Sequence, residues 1–140
     1  MGNDIVAEEL ASILLSRVGH EILPQSLHWR YLQRFLGQCQ TVLRRDLEAM
    51  HSMQLVVDFD EKNLPLQAPE RLQARHGLGK VYYNLHQFRK AIEVLEDVVQ
   101  TRRKTFLPTD HDLLASQYEL ACAYSRDNQG EKSLSVYSKR

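Results

Sequence analysis

Cysteine is scarce in this sequence: the 140 residues hold two, Cys39 and Cys122. So few thiols exclude a disulfide framework and fit a reducing compartment, so a cytoplasmic location is expected. Charge of one sign is also missing, because 18 Lys and Arg balance 18 Asp and Glu. A balanced chain argues against a general binder of nucleic acid or of an anionic membrane. No apolar run approaches the roughly 18 residues that would span a bilayer. The start, Met1-Gly2-Asn3-Asp4, lacks the basic flank of a secretory leader. A lipid on Gly2 would call for Ser or Thr at position 6, which is Val6.

Motifs that carry chemistry are also lacking. There is no GxSxG, no CxxC and no HxxxH pair. Gly77-Leu78-Gly79-Lys80 has Ala74 where a phosphate loop needs glycine, and Val81 where it needs Ser or Thr. Glu48 and His51 make one carboxylate–imidazole pair, whereas a di-metal bundle needs two such pairs and further carboxylates. Asp110-His111-Asp112 could touch a metal, but acidic residues in that place suit a helix start. Arg44-Arg45 and Arg102-Arg103-Lys104 are the tight basic clusters, and the second is read as a solvated helix end. No cofactor and no metal site are expected. The chain is read as non-enzymatic, a helical enzyme using His51 or Cys122 being the weakest alternative.

What the sequence has instead is repetition. Leu72 to Arg103 reads as two helices joined at His86-Gln87, and its markers recur 42 residues away on both sides. Leu78-Gly79 matches Leu36-Gly37 and Leu120-Ala121, Tyr82 returns as Tyr124, and Ala91 is echoed by Ala49, Ser133 and Ala7. Prolines at 24, 65 and 108 mark the connectors with nearly the same period. One domain, 1–140, is expected, made of a half repeat (4–18), a degenerate repeat (27–61), a complete repeat (72–103) and a truncated one (112–140).

Apolar periodicity predicts the helices. In the first, Ile5, Val6, Leu10, Ile13, Leu14 and Val18 are expected to face the core, with Glu8, Glu9, Ser12 and Arg17 opposite and Gly19 as the stop. Helices follow over Leu27–Val42, Asp46–Phe59, Leu72–Leu85, Phe88–Arg103 and Asp112–Arg126, the last capped by Asp110, and a further one starts at Glu131. Nothing like Gly or Pro marks a break near Leu43 to Asp46, so one long helix is an alternative there. Small residues are expected where backbones approach, Gly37 with Ala49, Gly79 with Ala91 and Ala121 with Ser133, while Leu78, Tyr82, Phe88, Ile92, Leu95 and Val98 fill the seams. Trp29 is read as packing.

Leu78-Gly79-x-x-Tyr82 followed by Phe88-x-x-Ala91 and Leu95 resembles the tetratricopeptide repeat (TPR). Arg102 through Pro108, with Asp112-x-Leu114-x-Ser116 and Leu120-Ala121, resembles its longer variant in kinesin light chains and fungal NOD-like receptors. Phe106-Leu107 stands where that variant has Leu-Gly, and Asp110-His111 where it has His-Pro. The resemblance implies an all-α superhelix, a solenoid of antiparallel helix hairpins, acting as a protein-interaction scaffold. It implies a concave groove that binds a protein or peptide segment through Arg34 and Gln38, through Gln73, His76, Lys80, Tyr83 and Asn84, and through Tyr118. The same analogy maps Tyr31, Thr41, Ala115, Cys122 and Ser125 to ligand-facing positions as well. Ala115 and Glu119 fall where a chaperone-tail carboxylate clamp needs basic residues, so no such tail is expected. The alternative is a structural fragment of a larger NOD-like signalling ATPase or adaptor that self-associates through open repeat ends.

Overall fold

The computed structural model describes residues 2–18 and 26–137. Among them are seven helices and no strand: α1 Gly2–Val18, α2 Leu27–Val42, α3 Asp46–Asn63, α4 Pro69–Asn84, α5 Phe88–Thr105, α6 His111–Arg126 and α7 Gly130–Ser135. The expected stop at Gly19 and the connector proline at 24 lie outside the described residues. Contacts divide the chain into two compact units, Met1–Leu64 with α1 to α3 and Pro65–Arg140 with α4 to α7. Within each unit, helices adjacent in sequence pack together.

The period of 42 holds to the residue in the backbone. Helices α2, α4 and α6 start at 27, 69 and 111, and α3, α5 and α7 at 46, 88 and 130. Each pair is joined by the same turn. Arg44, His86 and Asn128 all have φ of 60°, and the next N–H closes back on the carbonyl of Gln40, Tyr82 or Tyr124 at 2.8–2.9 Å. This is a left-handed helix cap made without glycine. It rules out a single long helix through Leu43–Asp46, because one left-handed residue ends the ladder as firmly as a glycine would.

Some helix ends move outward from the expected positions. Helix α3 runs one turn past Phe59, to Asn63, and α4 begins at Pro69, not Leu72. Proline at the first position loses no intrahelical bond, because that N–H has no partner in any helix. Asp110 caps α6 through Oδ1, which accepts from the N–H groups of Asp112 and Leu113.

Small side chains sit where helices touch. A Cβ placed on Gly79 would come within 2.7 Å of Leu95 Cγ, and one on Gly37 within 2.8 Å of Met53 Sδ. Ala49 and Ala91 are fully buried. In the third hairpin the approach is closed by a hydrogen bond instead, Ser133 Oγ donating to the Ala121 carbonyl at 2.8 Å. Leu78, Ile92, Leu95 and Val98 are buried as expected, each contributing about 1.5–3 kcal/mol. Trp29 packs on Phe59 with ring centroids 6.1 Å apart.

Helix α1 reverses its expected faces. Ala11 is fully buried and Glu8 nearly so, while Ile5, Val6, Leu10, Ile13 and Leu14 are exposed. Glu8 pairs with Arg45 at the α2–α3 turn. Apolar residues surround this helix on most sides, so the pattern alone does not select a face. The close approach that Ala11 allows and the Glu8–Arg45 pair select it instead.

Candidate functional site

The first helices of the hairpins carry the residues that the repeat analogy singles out. In the unit Met1–Leu64, α2 presents Gln38 exposed and Arg34 half-buried, beside an exposed Tyr31. Thr41 is turned onto its own helix, donating to the Gly37 carbonyl at 2.8 Å. In the unit Pro65–Arg140, α4 carries Gln73, His76, Lys80, Tyr83 and Asn84, and α6 carries Tyr118.

These six do not form one surface. Lys80 and Tyr118 are exposed, and Tyr83 and Asn84 are half-buried. Tyr83 is held edge-on to Phe88 with centroids 5.4 Å apart. The Tyr118 hydroxyl shares a hydrogen bond with the Cys122 thiol, and that bond, with the charge of Glu119, raises its pKa. Burial raises the Glu119 carboxyl, and the nearby Lys80 ammonium opposes the rise. Lys80, Tyr83, Tyr118 and Glu119 are thus electrostatic neighbours, one cation, two phenols and one carboxyl.

His76 belongs to the interior, and Gln73 beside it is half-buried. His76 is 8% exposed, too little to serve as a groove contact. Its Nδ1 lies 2.9 Å from Ser116 Oγ, and that oxygen also accepts from an Arg102 guanidinium nitrogen at 2.6 Å. His76 and Arg102 thus share one hydroxyl, whose oxygen has two lone pairs and one proton to offer them. Burial, then the Arg102 and Lys80 charges, lower the His76 pKa from 6.5 to about 4. A serine and an imidazole within hydrogen-bond distance could suggest a nucleophile and its base. Here the Ser116 side chain is fully buried and already engaged by a cation, so the pair is a packing device.

Arg102 is the centre of that device, not a solvated helix end. It is 2% exposed. It also donates to the Asp112 carbonyl at 2.9 Å and to Gln73 Oε1 at 3.2 Å, tying α5 to α6 and α4. Burial lowers its pKa, and Asp112 and Asp110 oppose the change. One repeat earlier the same slot holds Asp60, fully buried, in a two-pronged pair with Arg30 at 2.5 and 2.7 Å. Sequence reasoning missed both groups. The signal was there in the 42-residue register, which sets an aspartate against an arginine at one core position.

Glu48 and His51 are both exposed, and among the described residues no three His, Cys, Asp or Glu side chains come together as a metal site. No family model matches the sequence, and no curated protein matches it either. Solved structures do. Nearly identical TPR-like repeats assigned to a kinesin light chain of Podosopora anserina align with a TM-score of 0.90 at 27% identity. The alignment covers 96% of this chain and 64% of that one. This chain has the TPR-like repeat fold. A single-residue variant of the same Podosopora anserina protein aligns equally well. BtubC (BKLC) from P. vanneervenii shares the TPR-like fold at a TM-score of 0.85 and 17% identity, over 96% of this chain and 54% of that one. The TPR-like chain thus spans about two thirds or less of the length of the solved proteins it matches. Among its described residues, no helix is long and apolar enough to cross a membrane.

Proposed function

We propose that this chain is a non-catalytic interaction scaffold, and that in the unit Pro65–Arg140 the α4–α6 face holds an extended protein segment. The observation that carries the reading is the exposure of Tyr118, 61%, beside Lys80 and Tyr83. A large aromatic side chain left in water next to a cation is the composition of a contact surface. Lys80 offers a point charge for an acidic side chain, and the two phenols offer apolar area with a polar edge. On α2 of the other unit, Arg34 and Gln38 offer comparable contacts. Affinity capture with the whole chain tests this. Lys80→Glu and Tyr118→Ala should each lose the captured partner while the helical circular dichroism spectrum is unchanged. Retention of the partner by both variants and by Tyr83→Ala would end the reading.

A second reading, self-association, is favoured by the exposed apolar stripe of α1. Stripes of this kind on a helix mark contact with another surface. Sedimentation velocity over a concentration series decides it. Val6→Glu with Leu10→Lys should abolish any dimer seen, and a chain that stays monomeric at every concentration removes this alternative.

A further inference from the structure

The repeats differ at one place where they ought to agree. In the second hairpin the Lys90 ammonium lies 5.8 Å over the Tyr82 ring. On the third, Lys132 lies 6.0 Å over Tyr124. Both pairs sit 42 residues apart in each member, so this ring-and-cation pair is a feature of the repeat. In the first hairpin the same register holds Gln40 and Glu48. The ring is absent, and the cation is replaced by an anion.

Beside Gln40 and Glu48 lies an open groove of about 470 Å³ between α2 and α3, with Leu36, Leu47 and Leu55 among its walls and His51 at its edge. Gln40 is held down in the floor, its Oε1 accepting from Ser52 Oγ at 2.8 Å. In the second hairpin the counterparts of Leu47 and Leu55 are Arg89 and Asp97, and Asp97 closes the surface through a 3.0 Å ion pair with Arg75. The first hairpin has leucines at both places, and Leu47 is 67% exposed. The groove is thus apolar in its walls, with one carboxylate and no Lys or Arg in its lining.

We propose that the α2–α3 groove is a docking site for a partner segment that presents an aromatic side chain next to a Lys or Arg. The ring would lie between Leu36, Leu47 and Leu55, over Gln40, where the other repeats place their own tyrosine. The cation would meet Glu48, which stands where the other repeats have lysine. Charge complementarity selects a basic segment, and a cation beside a ring reproduces the pair that this protein already builds twice. The site lies on the unit Met1–Leu64 and is independent of the α4–α6 face proposed above.

The probes are acetylated, amidated hexapeptides, Ala-Ala-Tyr-Arg-Ala-Ala against forms with Glu for Arg or Leu for Tyr. They are titrated into the isotope-labelled full chain and followed by amide chemical shifts. The Tyr-Arg peptide should shift the amides of Gln40, Leu47, His51 and Leu55, and bind about tenfold more tightly than either control, a difference of about 1.4 kcal/mol. Gln40→Tyr combined with Glu48→Lys restores the ring and cation of the other repeats and should abolish the shifts. Leu47→Arg, a change at an exposed position, should weaken binding several-fold even if the double variant folds poorly. Equal binding of the Tyr-Arg and Tyr-Glu peptides would overturn the proposal. So would shifts confined to α4 and α6, or unchanged binding by Leu47→Arg and the double variant.

Discussion

At the scale of single residues, His76 carries a pH dependence that can be worked out in sign. It is neutral in the folded chain down to about pH 4, but takes a proton near its ordinary 6.5 when the chain unfolds. Because the folded pKa is lowered, the unfolded state binds more protons between those values. Stability is therefore full above pH 6.5 and falls as the pH drops toward 4, by up to about 3 kcal/mol. Urea melts at pH 7 and pH 4.5 should show the loss, and His76→Gln should flatten that part of the profile although it weakens the fold at pH 7. The three left-handed caps give a second residue-scale expectation. Arg44 holds φ of 60° without glycine, at a cost of about 1–2 kcal/mol for an L residue. Glycine gives back part of that through its greater freedom in the unfolded chain. Arg44→Gly should still raise the thermal midpoint, and a lower midpoint would show that its weak 3.5 Å contact with Asp46 matters more than the strain.

At the scale of helices, the tight seam between α4 and α5 sets the next prediction. Alanine at position 79 would gain about 1 kcal/mol of helix propensity. Its Cβ would meet Leu95, which is fully buried and has nowhere to retreat. Overpacking of that kind costs about 1–3 kcal/mol, so Gly79→Ala should lower stability in denaturant. Within the hairpins, much is legible from sequence. Leu27–Val42 matches to the residue, Asp110 reads as a cap, and Gly37 and Gly79 fall at close approaches, because each rests on a local rule that tertiary structure does not override. What stays hidden depends on distant partners. Glu8 is buried because Arg45 waits 37 residues later. His76 and Arg102 are buried with Ser116 as a shared partner, hydrogen-bonded to the first and accepting from the second. On α4 and α5 these two look like any exposed polar residues, and no period within one helix reveals them.

At the scale of the molecule, each unit has a buried polar tie of its own. Arg30 and Asp60 join α2 to α3 inside the unit Met1–Leu64. Removing one partner of a buried pair strands the other and costs about 3–5 kcal/mol. Asp60→Ala should therefore speed hydrogen exchange in α2 and α3 while the amides of α5 and α6 stay protected. Arg30→Met with Asp60→Leu should recover most of the loss, because apolar residues can replace such a pair nearly without penalty.

The opposite charges at positions 60 and 102 also bear on how hairpins that share one backbone period avoid trading helices while they form. Should α2 seize α5 in place of α3, Arg30 would come to rest against Arg102, and two guanidinium ions would share a dry slot. Should α4 seize α3, Asp60 would face Leu72 with no counter-ion. Chains with repeated modules are prone to this kind of cross-pairing. Here the charge reversal at this one register position disfavours both exchanges.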